Sequence, residues 1–270
     1  MPASPTQPWS IYLPKRLWPA LAALLLAAFI FTTWCGIALA PQLHQPLGLM
    51  SQVRIVVDPG HGGVDGGCSW NGILEKDLNL ALGLALAEEL KQYKAQVKLT
   101  RTTDEALVPW GAGGGSRHKR DLAARLDIAR RYEAQLYIAL HVNSGPSHLG
   151  GSLTFYRQDN EESRKLAAAV QERLSKLVPG NQNGILPARY MVLTGLDIPS
   201  ILIETGFLTN EVDRRFLTGA EAPSLLAAGI AAGVAAYLKG EVPSSPTLSS
   251  YQPPCDGDIT SDLHKDIACY

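Results

Sequence analysis

The sequence predicts an α/β fold. It reads as a single three-layer domain, with a twisted, mostly parallel sheet of about six strands and helices on both faces, behind an N-terminal transmembrane helix. Three observations lead there. Between Val53 and Gly240, short β-branched apolar runs alternate with helix-length amphipathic segments, the pattern of strands joined by crossover helices. One run, Leu136–Leu140, is apolar throughout, as a strand covered on both faces must be. Ahead of all these, Leu17–Ala40 carries no charge and is long enough to span a hydrocarbon core of ~30 Å as a helix.

The N-terminal region sets the topology. Residues 1–16 bear Pro, Ser and Thr and end in Lys15-Arg16, and no Lys or Arg follows Ala40 until Arg54. The positive-inside rule then makes 1–16 a cytoplasmic tail and 17–40 a signal-anchor, with everything later outside the cytoplasm. Trp18 and Trp34 lie near the ends of the span, as interfacial aromatics do. A cleaved signal peptide is the rival, since Ala38-Leu39-Ala40 resembles a cleavage site. However, the apolar run exceeds the usual ~7–15 residues and Pro41 would follow the cut directly, so a retained anchor is expected. Residues 41–52 read as a linker, 53–240 as the folded domain, and 241–270 as a Pro/Ser-rich tail.

Within the domain, Arg54–Asp58 is the first strand and ends in a Pro-Gly turn. Glu75–Tyr93 is helical, with Leu78, Leu82, Leu86 and Leu90 recurring every four residues. Gln96–Arg101 is a strand. Thr102–Arg117 is a glycine-rich loop read as lid-like. His118–Tyr132 is a basic amphipathic helix, and Leu136–Leu140 the central strand. Ser152–Tyr156 is a strand and Glu161–Leu177 a helix, followed by short strands at Tyr190–Leu193 and Ser200–Glu204. Asn210 caps a helix that has Asp213 at its third position and ends at Leu217. Pro223–Leu238 is a final Ala-rich helix, small on all sides and so closely packed.

Composition narrows the functions. A formal net charge of −1 provides no basic surface, so nucleic acid is not an expected partner. The four cysteines, Cys35, Cys68, Cys255 and Cys269, form no Cys-x-x-Cys pair, which argues against a zinc ribbon or a thioredoxin-type motif.

In an open α/β sheet, sites gather at the carboxyl ends of strands. Three strands here end in chemically loaded residues: Asp58 leading to His61, Leu140 leading to His141, and Ile203 leading to Glu204. Glu75 opens the first helix after the His61 loop. A catalytic zinc needs three nitrogen or oxygen ligands and an open position, and His61, Glu75 and His141 supply such a set. Glu204 then remains as a base for water. Each residue has a plainer use. His61 could be an exposed loop histidine, Glu75 suits a helix N-terminus, and His141 could bond a loop carbonyl. Glu204 follows an apolar run that should be buried, and a buried carboxylate needs a partner or a task. Cys68 lies between the first two candidates, and a thiolate there would close the site. Its flanking glycines suggest an open loop instead, so Cys68 is not expected to be a ligand. A phosphate-cradling nest at Gly60–Gly67 is a further alternative, but the glycines do not follow G-x-G-x-x-G and no GK[ST] follows.

Taken together, Val57-Asp58-Pro59-Gly60-His61-Gly62-Gly63, Gly66, Glu75-Lys76, His141-Val142-Asn143-Ser144 and Glu204-Thr205-Gly206-Phe207-Leu208-Thr209-Asn210 resemble the zinc-dependent N-acetylmuramoyl-L-alanine amidases, over roughly Val53–Leu238. The resemblance implies one zinc on His61, Glu75 and His141, Glu204 as the catalytic residue, and Asn143 in substrate binding. The implied reaction cleaves the amide between the muramic acid lactyl group and L-alanine in peptidoglycan. Within that family the chain is most similar to the membrane-anchored spore-cortex amidases. It shares their short anchor, the segment Gly151–Tyr156 after the second histidine, and the lack of a separate wall-binding domain. That implies a role in muramic δ-lactam formation and an extracytoplasmic site at the cell wall or between forespore membranes; an activating protein partner is a further expectation that the sequence itself does not decide. Two features depart from the pattern: Arg130, where relatives often carry Asn, and the tail with Cys255 and Cys269. A catalytically inactive wall-binding or activator module on the same fold is the competing function, and it would be marked by a missing ligand or base.

Overall fold

The computed structural model describes residues 50–109, 116–179 and 184–243, with isolated positions before them. The tail at 244–270 with Cys255 and Cys269, Cys35, and almost all of the expected anchor at 17–40 lie outside the described residues. The chain divides into two compact units, Met1–Pro46 and Leu47–Tyr270, and the elements below belong to the second.

In chain order these are β1 (Arg54–Pro59), β2 (Ser69–Trp70), β3 (Ile73–Leu74), α1 (Glu75–Gln92), β4 (Gln96–Leu99), α2 (Arg117–Arg131) and β5 (Leu136–Asn143). Then come β6 (Leu153–Arg157), α3 (Glu161–Leu174), β7 (Ile185–Ala188), α4 (Met191–Thr194), β8 (Ser200–Phe207), α5 (Glu211–Leu217) and α6 (Ala222–Leu238). Six strands form one sheet in the order β4-β1-β5-β8-β6-β7. The first four run parallel. β6 is antiparallel to β8, and β7 is parallel to β6. As its composition requires, β5 lies in the middle, buried along its whole length.

The strands alternate between two cores. On one face Ile55, Val57, Ile138, Leu140, Ile201 and Ile203 pack under α1, α3 and α6, through residues such as Leu86, Leu166 and Ile230. The small-residue surface of α6 permits this closeness: a Cβ on Gly233 would stand 2.5 Å from the Val170 Cα of α3. On the other face, among the described residues, Val56, Tyr137, Ala139, Leu153 and Leu202 pack with α2, the single-turn α4 and the segment after it, through Leu126, Ala129, Val192, Leu193 and Leu196. The helices described on that face are fewer, and polar groups occupy its strand ends: Asp58, His141 and Glu204 are all buried there. Among the described residues no single helix is long and apolar enough to cross a membrane.

Three details differ from the sequence expectation. Tyr190–Leu193, expected as a strand, forms α4, and the edge strand is β7, just before it. A short apolar run cannot be assigned to strand or helix by periodicity alone, and the adjacent burial of Val192 and Leu193 in the second core is met by one helical turn. Pro187 is tolerated in β7 because that strand lies at the sheet edge. Second, β5 and β8 run on to Asn143 and Phe207, so His141 and Glu204 lie inside strands. Third, the first half of the loop after β4 is tied down: Asp104 accepts from Gly63 N and Lys76 Nζ, at 2.7 Å each, and Leu107 N donates to Asp121 at 3.0 Å. The N-cap at Asn210 is as expected, its side chain accepting from Val212 N and Asp213 N.

Candidate metal centre

His61 is delivered by the turn that ends β1. Its φ is 61°, a left-handed conformation that is strained for a non-glycine residue and needs support from its surroundings. Two buried arginines supply that support through three consecutive carbonyls. Arg101 donates to Pro59 O (3.0 Å) and Gly60 O (2.9 Å), and Arg125 donates to Pro59 O (2.9 Å) and His61 O (2.8 Å). Arg125 is itself neutralised by Asp58 (2.6 Å) and Asp121 (2.8 Å). Asp58 also accepts from Thr100 and Tyr137, and Arg125 beside it holds its carboxyl below the usual range against the cost of burial.

The ligand atoms of His61, Glu75 and His141 lie within 4.8 Å of one another, and all three residues are buried. Glu75 Oε1 stands 3.0 Å from His141 Nδ1 and 3.2 Å from His61 Nε2, while Cys68 N donates to Oε2 at 2.8 Å. Asp65 Oδ1 is 3.0 Å from His61 Nδ1, so this carboxylate turns the ring and aims Nε2 inward. Glycine is required twice here. A Cβ on Gly60 would lie 2.3 Å from the His141 ring, and one on Gly67 would lie 2.4 Å from Glu75 Oε2.

The group fits a divalent cation. His61 Nε2 is buried and faces Glu75, yet makes no hydrogen bond. Burial disfavours charge on His61, but Glu75 and Asp65 push its pKa up to about 10, while Glu75, despite its own burial, is held well below the usual carboxylate range by the two imidazoles. Burial lowers His141, which favours the neutral imidazole that a metal binds. The centre of the set therefore favours positive charge, and two imidazoles with one carboxylate are ligands that zinc accepts.

Glu204 is fully buried on β8 and is the register partner of His141 on β5. Directly paired residues of parallel strands point to the same face, with the strands about 4.8 Å apart, so the Glu204 carboxylate stands beside the metal set on the face of α2 and α4. Thr205 Oγ1 donates to His141 O at 3.1 Å, fixing the two strands where the register shifts. Cys68 is outside the ligand set, its thiol donating to Val142 O at 3.2 Å. Asn143 is buried; its Oδ1 accepts from Ser144 N at 2.7 Å and its carbonyl from Leu208 N at 2.8 Å. Arg130 donates to Gly195 O at 2.8 Å and ties α2 to the end of α4.

The sequence points to Asp58, His61, Glu75, His141 and Glu204, which the fold gathers at one end of the sheet, but not to Asp65, Arg101 or Arg125. For Asp65 the signal was present, four residues after His61 in a glycine turn. The arginines act on carbonyls up to 66 positions away, and no spacing announces that.

Residues 55–236 match the family described as N-acetylmuramoyl-L-alanine amidase. The germination-specific N-acetylmuramoyl-L-alanine amidase of Bacillus subtilis is 34% identical over 197 residues, 70% of this chain and 82% of that protein. The uncharacterized protein YqiI of the same organism is 32% identical over 229 residues, 83% of this chain and 98% of that one. Among solved structures, the CwlD amidase of Clostridioides difficile in complex with the GerS lipoprotein is similar at 32% identity and a TM-score of 0.67. That similarity covers 70% of this chain and all of that one, 100%.

Proposed function

The chain belongs to the N-acetylmuramoyl-L-alanine amidases and is a peptidoglycan amidase, and we propose that it works with one zinc ion held by His61, Glu75 and His141, with Glu204 as general base. The observation that carries the reading is the convergence of three buried ligand atoms within 4.8 Å, with His61 Nε2 lacking a hydrogen bond at its centre. A bound zinc ion supplies Lewis acidity at the scissile carbonyl and makes water a competent nucleophile near neutral pH. The protein's own groups do the rest. Asp65 keeps His61 in one orientation. Glu204 takes the proton from the attacking water and passes it to the departing amine of L-alanine. Its burial keeps the carboxylate out of bulk solvent and raises the strength of every electrostatic contact it makes. Asn143 is assigned to the substrate.

The test is mass analysis of peptidoglycan digested by the purified protein. Stem peptides with a free L-alanine N-terminus and uncut glycan are expected, lost with a chelator and restored by zinc. Glycan cleavage, or full activity in the chelator, would overturn the reading.

The uncharged run at 17–40, after Lys15-Arg16, supports a membrane anchor with the domain outside the cytoplasm. A reporter fused after Gly240 that is active in the cytoplasm would refute it. The germination- and sporulation-specific names among the relatives support a role in spore peptidoglycan. Unchanged muramic δ-lactam in spores lacking the protein would count against that role. The lipoprotein in complex with CwlD supports a protein partner for this chain, and the role we propose for it is activation. Full turnover by the isolated protein would remove the need for one.

A further inference from the structure

Trp70 stands in the ribbon β2–β3, within the stretch of chain that separates His61 from Glu75. The ribbon is held at its tip and its base. At the tip, Asn71 and Gly72 have φ of 46° and 84°, the pair of left-handed residues that a tight two-residue hairpin needs. At the base, Glu75 N donates to Cys68 O at 2.9 Å while Cys68 N donates to the Glu75 carboxylate at 2.8 Å. The indole is then braced from another element. The Arg214 guanidinium lies 4.8 Å from its centroid, and Arg214 Nη1 donates to Leu208 O (3.0 Å) and Thr209 O (3.4 Å), in the turn directly after β8.

The indole thus links the loop bearing two metal ligands to the turn behind the strand bearing Glu204. Despite this bracing it remains 37% exposed, on a two-residue strand whose other member, Ser69, is also exposed. It adds nothing to either core of the sheet. An aromatic ring held by a cation and partly open to water is a ready contact for an apolar face of a ligand. Trp70 lies two residues along the chain from Cys68, whose backbone N–H is bonded to the Glu75 carboxylate, so the indole stands on the ribbon that leaves the candidate metal set. The substrate of an amidase of this class is a polymer of pyranose rings, and such rings present C–H faces.

We propose that Trp70 is a stacking platform for a sugar ring of the glycan strand next to the muramic acid whose amide is cut, with Arg214 as the residue that holds it. This rests on the amidase reading, and the test separates the two. The full-length protein and its Trp70→Ala, Trp70→Phe and Arg214→Ala variants are assayed on two substrates carrying the same stem peptide: glycan chains of several disaccharides, and a single N-acetylmuramoyl-peptide. Wild type inactive on both, with zinc bound and the proposed activating partner supplied, overturns the amidase reading itself. With wild type active, Trp70→Ala should lower kcat/KM on the chains relative to the single sugar by about tenfold, mainly through KM. Trp70→Phe should recover most of the loss, and Arg214→Ala should show a smaller loss of the same kind. Zinc content and thermal midpoint report whether the variants fold. Equal losses on the two substrates, or no loss on the chains, would overturn the platform.

Discussion

Ile138 and Leu140 point to one face of the sheet, and Tyr137, Ala139 and His141 to the other. The same alternation divides Ile201 and Ile203 from Leu202 and Glu204, and Val57 from Val56 and Asp58. Toward α1, α3 and α6 the three strands β1, β5 and β8 present aliphatic side chains at Ile55, Val57, Ile138, Leu140, Val142, Ile201 and Ile203. Toward α2 and α4 the aliphatic pattern stops near the carboxyl ends and gives way to an acid, an imidazole and a second acid. The difference teaches how one set of strands serves both stability and chemistry. Burial under three long helices fixes the backbone of β1, β5 and β8 from behind, and that rigid backbone holds His141 and Glu204 in register on the front. Substitutions behind should therefore cost stability and leave chemistry alone, and substitutions in front should do the reverse.

The strongest test of that division is Glu204→Gln. The amide keeps size and hydrogen bonding but cannot accept a proton, so turnover should fall at least ~10²-fold, in the range for general acid–base catalysis. Zinc content and thermal midpoint should stay near wild type. Zinc loss would make Glu204 a ligand and reopen the role of Glu75. Full activity with zinc retained would place the base elsewhere.

Asp58→Asn should break the division, because Asp58 faces the front yet serves stability. Removing its charge leaves Arg125 buried with Asp121 as its remaining acidic partner, at a cost of roughly 3 kcal/mol. The sign with pH follows from the direction of the shift. The folded-state pKa of Asp58 is depressed, so its contribution is fully present above the unfolded value of about 3.9 and fades as pH falls through the folded value. Denaturant unfolding of the two proteins should therefore differ most near neutral pH and converge in acid. Because Arg125 also holds His61 O, zinc affinity measured by chelator competition should drop about tenfold. A difference in stability that persists unchanged below pH 3 would show that Asp58 acts only by its shape.

Behind the sheet, Leu86→Ala on α1 should cost about 2–5 kcal/mol through lost burial and a cavity. Below the new midpoint, kcat on muramoyl-peptide should be unchanged. A large fall in kcat with little loss of stability would mean that the rear core tunes the site and that the two faces are not separable.

How much of this was legible in the sequence depends on the range of the interaction. Ile55–Asp58, Leu136–His141 and Ser200–Glu204 read as apolar runs closed by polar residues, and strand alternation turns that local pattern into a site. Misreadings came where local pattern is ambiguous or where the partner is distant. Tyr190–Leu193 has the composition of a strand and the burial of a helical turn. The ribbon at Ser69–Leu74 carries an Asn-Gly turn signal but only two residues on each side. Arg101 and Arg125 look like ordinary charges of a strand end and a basic helix, and only the folded chain brings them to the carbonyls around His61.

Cys68 gives the smallest expected effect and the finest test of the ligand set. It sits between His61 and Glu75, where a fourth ligand would close the site and make it structural. Its side chain instead donates to Val142 O at 3.2 Å, and its link to the metal set is through its backbone N–H, 2.8 Å from Glu75 Oε2. Any residue except proline supplies that N–H. Serine is slightly smaller, keeps a donor for Val142 O and binds zinc poorly. Cys68→Ser should therefore shift stability by less than about 1 kcal/mol, from a small loss of apolar contact set against a better hydrogen bond. Zinc stoichiometry and turnover should match wild type. If zinc is lost while the fold, followed by circular dichroism, is retained, the thiol is a ligand and the open coordination position that hydrolysis requires is gone. If zinc stays and turnover alone falls, the thiol acts on β5 through Val142, and the front face depends on a contact made from behind.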